Sequence, residues 1–437
     1  MERRAAYYGL VVVTLLNFLN YIDRYILAAV LPRMQSELSL TNTQAGLLAT
    51  AFLFAYFITS PIFGALGDRL SRTRLMAVGV SAWSVATAAT GIMRGFVQLM
   101  IARSCVEVGE AAYATISPAL LSDYFPRSQR GRAFAIFYVA IPVGAASGYL
   151  LGGLVEPALG WRAAFYVVGL PGIIMALLAV TVQDPPRGAS EESGSSIQEP
   201  LSVTLRGFSR NLAYIGTVLG YAAYTFALSG LAFWMPEYLE KVRGVTLSSA
   251  NFIVGSVTVA AGLGGTAAGG YLGDFISSRM KHGQLWVCGM SSVAAILPAW
   301  FALTVSSDPA YIIWLFAAEF LLFLSTGPVN VVIVNVVPVG ARAMAMAVSI
   351  FVIHLLGDAI SPPIIGLLTD ISSLSWAVLI VPVTVALSGA LWDCNCGGND
   401  RLNDVQPPSL LKPDCKHRNP FAASSLRFRI TTAQSCW

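Results

Sequence analysis

The stretch Gly64-Ala65-Leu66-Gly67-Asp68-Arg69-Leu70-Ser71-Arg72-Thr73-Arg74 separates two long apolar runs and is itself too charged to lie in lipid. Its paired glycines let a helix end come close to a neighbour. A second copy, Gly270-Tyr271-Leu272-Gly273-Asp274-Phe275-Ile276-Ser277-Ser278-Arg279, stands at the matching place in the second half of the chain. In each copy Gly-x-Leu-Gly-Asp closes an apolar run and basic residues follow. One such loop is an ordinary polar turn. Two at equivalent places point to a repeated helical unit, a common plan among membrane transporters. Asp68, Arg69, Arg72, Asp274 and Arg279 are expected to act as a gate at this face of the membrane. Asp68 would accept hydrogen bonds from a helix N-terminus and pair with nearby arginines in one conformation only.

Composition sets the solvent. Of 437 residues 56% are apolar and only 11% charged, with a mean hydropathy of +0.67. A soluble domain carries about 25% charged residues, so this chain needs lipid around it. The net charge of +4 gives no reason to expect a nucleic-acid partner. Arg3 and Arg4 precede a run too long for the core of a signal peptide. The six cysteines form no disulfide framework, and Cys394, Cys396, Cys415 and His417 match no standard zinc spacing.

Twelve apolar segments are long enough to span a bilayer, at about 6–31, 44–66, 74–93, 97–122, 133–155, 163–182, 209–235, 248–272, 284–304, 310–337, 343–368 and 375–392. The polar stretch 183–208 divides them six and six. The chain thus reads as an all-α membrane protein of twelve transmembrane helices in two pseudo-symmetric six-helix bundles, 1–182 and 209–392. A cytoplasmic linker, 183–208, joins them, and a polar cytoplasmic tail, 393–437, follows. With the N-terminus placed inside, the inner loops hold fourteen Lys and Arg without the tail and the outer loops five. The positive-inside rule therefore puts both termini and both Gly-x-Leu-Gly-Asp loops in the cytoplasm, in a plasma or inner membrane.

Charges inside the spans are costly and so are candidates for function. The first span has Asp23 and Arg24, the fourth Arg103, Glu107 and Glu110, the tenth Glu319, the eleventh His354 and Asp358. At about 1.5 Å rise per residue, Asp23, Arg24 and Arg103 lie at one depth and could pair across two helices. Arg103, Glu107 and Glu110 share one helix face, as do Asn17, Asn20 and Arg24. Glu319, Thr326 and Asn330 make a weaker polar stripe, bent by Pro328. Two readings stand side by side. The charges are structural ion pairs that lock helices together, or they form a proton site in which burial and neighbouring arginines oppose each other on a carboxylate. Asp23 and Glu110 suit proton coupling. Arg24 and Arg103 suit an anionic headgroup, and Glu107 suits either the substrate or a simple i, i+4 pair with Arg103. His354 and Asp358, also i, i+4, suit a structural or gating role. Tyr221 and Tyr224 could flank an acyl chain or be ordinary membrane-helix aromatics.

The paired Gly-x-Leu-Gly-Asp loops in a six-plus-six chain resemble the major facilitator superfamily. Within it, Asn20-Tyr21-Ile22-Asp23-Arg24-Tyr25, Gly109-Glu110-Ala111, Phe137-Tyr138-Val139-Ala140-Ile141-Pro142-Val143-Gly144, Gly160-Trp161-Arg162 and His354-Leu355-Leu356-Gly357-Asp358-Ala359 resemble the Spinster lipid transporters. The resemblance covers about residues 10–390. It implies the major facilitator fold, a central cavity lined by spans one, four, seven and ten, alternating access, and lysolipid or sphingosine-phosphate substrates. It also implies that Asp23, Arg24 and Glu110 occupy coupling and substrate positions. Ser71 departs from the glycine common in the superfamily, and the tail matches nothing in it.

The expected function is therefore proton-coupled secondary transport of lysolipid or sphingolipid-type amphiphiles resembling sphingosine 1-phosphate. The alternative is a proton-linked carrier of small organic anions or drugs. Asp23 and Glu110 are the expected proton-coupling residues. Arg24, Arg103, Glu107, Tyr221, Tyr224, Glu319 and Asn330 are the expected substrate contacts. No Ser-His-Asp arrangement, metal cluster or phosphate-cradling loop suggests an enzyme. No cofactor or metal is expected. The expected partners are an amphiphile, protons and membrane lipid, with the protein a monomer.

Overall fold

The computed structural model describes residues 3–186, 201–305, 309–337 and 342–398. These are helical nearly throughout. The first half holds α1 (Arg3–Leu38), α2 (Asn42–Arg69), α3 (Arg72–Thr90), α4 (Phe96–Tyr124), α5 (Arg127–Leu159) and α6 (Trp161–Thr181). After α7 (Leu201–Arg210), the second half holds α8 (Leu212–Lys241), α9 (Leu247–Ser277), α10 (Gly283–Thr304), α11 (Ala310–Phe323), α12 (Thr326–Asn335), α13 (Arg342–Ile353), a π-helical turn (His354–Asp358), α14 (Ser361–Ile371), α15 (Leu374–Ala377) and α16 (Ile380–Gly398). The tenth span is thus split into α11 and α12. The eleventh is α13 and α14 about the π turn, and the twelfth is α15 and α16.

Polar residues between the apolar runs start the helices. Thr41 caps α2 in a capping box with Gln44, and Ser71, Asn211 and Thr246 cap α3, α8 and α9. Large apolar side chains such as Val97, Ile174, Leu177 and Ile313 are mostly exposed; in a bundle this apolar, they are the surface that meets lipid.

Two expectations about boundaries need adjusting. The segment 183–208 is not all linker: α7 begins at Leu201 and turns Phe208 onto Tyr214, ring centroids 4.9 Å apart. Leu205 and Phe208 share a helical face, which makes this polar stretch amphipathic. The last span does not stop at Trp392, since α16 carries Asp393 on to Gly398. Residues 187–200 and 399–437, the rest of the expected linker and tail, lie outside the described residues. The bend assigned to Pro328 falls earlier, at Leu324–Ser325, where α9 presses Gly269 onto the Leu324 backbone; a Cβ there would stand 2.0 Å from the Leu324 carbonyl oxygen.

The two halves are stitched together in the part of the bundle away from the N-terminus. Asp370 on α14 accepts four hydrogen bonds at the start of α2, from the backbone and side-chain groups of Asn42 and Thr43. Arg33 on α1 pairs with Glu240 on α8 at 2.8 Å and with Glu156 on α5 at 3.2 Å. Asn251 donates to the Ala29 carbonyl and Ser248 to that of Gly153. Gly46 and Gly366 bring the α2 and α14 backbones together, with no room for a Cβ at either. On the N-terminal side of the π turn, α13 packs on α8 and α12 within its own half.

Candidate functional site

The site is built where α1, α3 and α4 cross. Gly79 of α3 and Gly109 of α4 meet face to face; a Cβ on Gly109 would lie 2.4 Å from the Gly79 oxygen. That approach turns Glu107 and Glu110 inward toward α1. Asp23, Glu107 and Glu110 are all 0% exposed, and Arg103 is 4% exposed.

Asp23 Oδ2 accepts the Trp83 indole N–H at 2.7 Å and the Thr87 hydroxyl, while Oδ1 lies 3.5 Å from Arg103 Nη1. Arg24 reaches Glu110 Oε2 with both Nε (3.1 Å) and Nη2 (3.0 Å). Arg103 Nη2 stands 3.7 Å from Glu107 Oε1. The depth match read from the sequence therefore brings Asp23 and Arg103 together. The Arg103 contacts are ion pairs longer than hydrogen bonds, and among the described residues its Nε and Nη1 have no hydrogen-bond partner. Neither does either oxygen of Glu107.

Arg24 and Arg103 line a cavity of about 310 Å³ between the halves. Tyr21 and Tyr25 of α1 and Leu228 and Phe233 of α8 give it an apolar, aromatic wall. His354 and Asp358 line it from the second half, joined Nδ1 to Oδ2 at 2.7 Å within the π turn. A π turn widens the helix locally and often marks a functional position.

Other expected site residues lie elsewhere. Tyr221 and Tyr224 have ring centroids 5.8 Å apart; Tyr224 meets the Thr326 hydroxyl at 3.2 Å and Tyr221 bonds Asn330. The cavity wall from α8 passes instead through Thr225, Leu228, Ser229, Ala232 and Phe233. Asn330 donates to the Thr326 carbonyl one turn back. Glu319 is buried beside Thr258 of α9, apart from the arginines, and among the described residues it forms no ion pair.

The loop residues are held within or beside their own halves. Arg72 is buried and binds Asp123 in the first half and Asp184 and the Pro185 carbonyl just after it, at the start of the 183–208 stretch. Asp274 accepts from Gln284, and the Arg279 guanidinium sits 3.8 Å from the Phe275 ring centroid. Arg69 is exposed, and the Asp68 side chain lies outside the described residues. Among the described residues no group of acids, histidines and cysteines could hold a metal.

The sequence reading missed Trp83 and Thr87, the direct partners of Asp23. Their i, i+4 spacing inside an apolar span was the available signal. Tyr21 and Tyr25 were quoted there only as part of a motif.

Two helical halves around a charged central cavity define a membrane carrier. The family model described as Major Facilitator Superfamily matches residues 13–362. Protein spinster homolog 1 of Homo sapiens is 35% identical over 406 residues, covering 87% of this chain and 76% of the relative. The sphingosine-1-phosphate transporter of Danio rerio is 30% identical over 437 aligned residues, covering 91% of this chain and 87% of its own length. The chain belongs to the major facilitator superfamily and, within it, to the Spinster transporters. It is an integral multi-pass membrane protein and a transporter of small molecules, not an enzyme. In fold it matches the crystal structure of a bacterial homologue of the human lysosomal transporter Spinster, in an inward-facing and unoccupied conformation. The TM-score is 0.84 at 23% identity, covering 94% of this chain and all of that one. A D-xylose–proton symporter shares the fold at a TM-score of 0.72 and 15% identity, covering 88% of this chain and 97% of that one.

Proposed function

We propose that this protein is a proton-coupled secondary transporter of lysolipid or sphingosine-phosphate-type amphiphiles, working by alternating access. The observation that carries the reading is the inter-half cavity, which Arg24 and Arg103 line beside an aromatic and aliphatic wall. A phosphate headgroup fits guanidinium donors, and a chain fits the wall. The relative that transports sphingosine 1-phosphate supports the same chemistry. Asp23 and Glu110 are the proposed coupling acids, since each shares an arginine with the cavity. Arg24, Arg103 and Glu107 are proposed headgroup contacts, with Glu319, Asn330, Tyr221 and Tyr224 reached in another conformation. His354 and Asp358 are proposed to gate the cavity from the second half.

We place the N- and C-termini in the cytoplasm, in a plasma or inner membrane, with the protein a monomer. The seam at Asp370 and Arg33 then closes the outer side, and the conformation is inward-facing. Asp68, Arg69, Arg72, Asp274 and Arg279 are proposed to meet across the halves in the opposite state.

The test is uptake by purified protein in proteoliposomes under an imposed pH gradient, with lysolipid, sphingosine 1-phosphate and sugar acids as separate substrates. Gradient-dependent accumulation of the amphiphiles is expected. Accumulation of sugar acids alone would replace this reading with that of a small-anion carrier, and no uptake of any would refute it.

A further inference from the structure

The charges buried at the α1–α4 crossing do not balance. Three carboxylates, Asp23, Glu107 and Glu110, are shut from water beside two guanidinium groups, buried Arg103 and half-buried Arg24, which also lines the cavity. The surrounding helices add no cation at this depth. The Lys and Arg of α2, α3 and α5 lie at helix ends, and His354 and Asp358 across the cavity bring an imidazole together with a further acid. A buried surplus charge is costly and is relieved by protonation.

The hydrogen bonds distinguish the three acids: Asp23 Oδ1 and Glu110 Oε1 lack a hydrogen-bond partner among the described residues, and so do both oxygens of Glu107. Asp23 receives two donors and faces Arg103. Glu110 takes two guanidinium N–H groups on one oxygen. Among the described residues Glu107 has no hydrogen-bond donor on either oxygen; Arg103, which also faces Asp23, stands 3.7 Å away, and Arg24 and Glu110 are the other charges that act on it. We propose that Glu107 is the proton-carrying residue of this conformation. It would release that proton when the helices of this crossing part. This deepens the proton-linked reading above and rests on it for its transport consequence.

The experiment compares Glu107→Gln, Asp23→Asn and Glu110→Gln in the full chain. Without substrate, the wild-type melting temperature is expected to fall as pH rises through neutrality, because the fold retains a proton that the unfolded chain releases. Glu107→Gln, which copies the neutral acid, should melt close to wild type near neutral pH and lose that slope. Asp23→Asn and Glu110→Gln, which discharge the arginines' partners, should melt lower. A drop in Glu107→Gln as large as theirs, or an unchanged pH slope, would overturn the assignment. In proteoliposomes Glu107→Gln should also lose the response to a pH gradient. The melting arm needs no substrate, so its failure is separable from failure of the lipid-transport reading.

Discussion

Gly46→Ala is a wedge driven into the seam proposed to close the outer side. An ideal Cβ at Gly46 would lie 2.5 Å from the Pro362 carbonyl oxygen and 2.6 Å from both the Pro362 carbonyl carbon and Pro363 Cα. All three are backbone atoms of α14 or its first turn, so no side chain can rotate away. Restoring ordinary contact requires α2 and α14 to move apart by roughly 1 Å, and overpacking of this kind costs about 1–3 kcal/mol. The cost falls on the closed seam and vanishes when the halves part. The ratio of outer-open to outer-closed carrier should therefore rise by about 5- to 150-fold. Ser229 lines the cavity from α8. A Ser229→Cys reporter in a background lacking the native cysteines, treated with a membrane-impermeant maleimide from the outer side, reads that ratio as a labelling rate. Gly46→Ala should label at least fivefold faster, with a melting temperature a few degrees lower. A folded Gly46→Ala carrier that labels at the parent rate would refute the claim that this contact closes the outer side.

Asp370→Ala removes four hydrogen bonds at the start of α2. Discounted for solvent, such a capping contact is worth about 1 kcal/mol, so the same assay should show about fivefold faster labelling, and no change would make Asp370 incidental to the seam. Arg24→Lys keeps the charge but cannot present both Nε and Nη2 to Glu110 Oε2; transport should fall at least tenfold, and a wild-type rate would limit Arg24 to a purely electrostatic role. Asp23→Asn still accepts from Trp83 and Thr87 through its amide oxygen but no longer faces Arg103 with a charge. It should bind substrate yet fail to concentrate it against an imposed pH gradient; retained gradient-driven accumulation would make Asp23 a structural partner.

The repeat and the apolar periodicity made the helices legible, because a bilayer forces every backbone group into a helical hydrogen bond and leaves the side-chain pattern as the main variable. The Asp23–Arg103 pairing was legible for a related reason: helix rise is fixed, so depth can be counted. What could not be counted was rotation. Trp83 and Thr87 reach Asp23 only because Gly79 and Gly109 let α3 and α4 touch, and that is decided by packing between helices. The amphipathic α7 was hidden inside a polar stretch whose composition suggested only a linker. The outer seam was hidden for another reason. Asp370, Asn42 and Thr43 are ordinary residues at helix ends, and only the meeting of two distant ends gives them a shared task.

The loops that revealed the repeat make no bond to the opposite half among the described residues: Arg72 binds Asp123 and, just past its bundle, Asp184, and Asp274 binds Gln284. The seam and the loops occupy opposite faces of the bundle, so a rigid rocking of the halves that tightens one loosens the other. Between them lies the charged crossing, where Arg103 is divided between Asp23 and Glu107 at 3.5 and 3.7 Å. An anionic headgroup arriving there competes with both acids for one guanidinium. In a site already short of a cation, each added negative charge must be met by a proton or by moving an ion pair. On the proposed reading, the arrangement would link headgroup, proton and helix separation through a single arginine, and that shared dependence would be the physical basis for coupling.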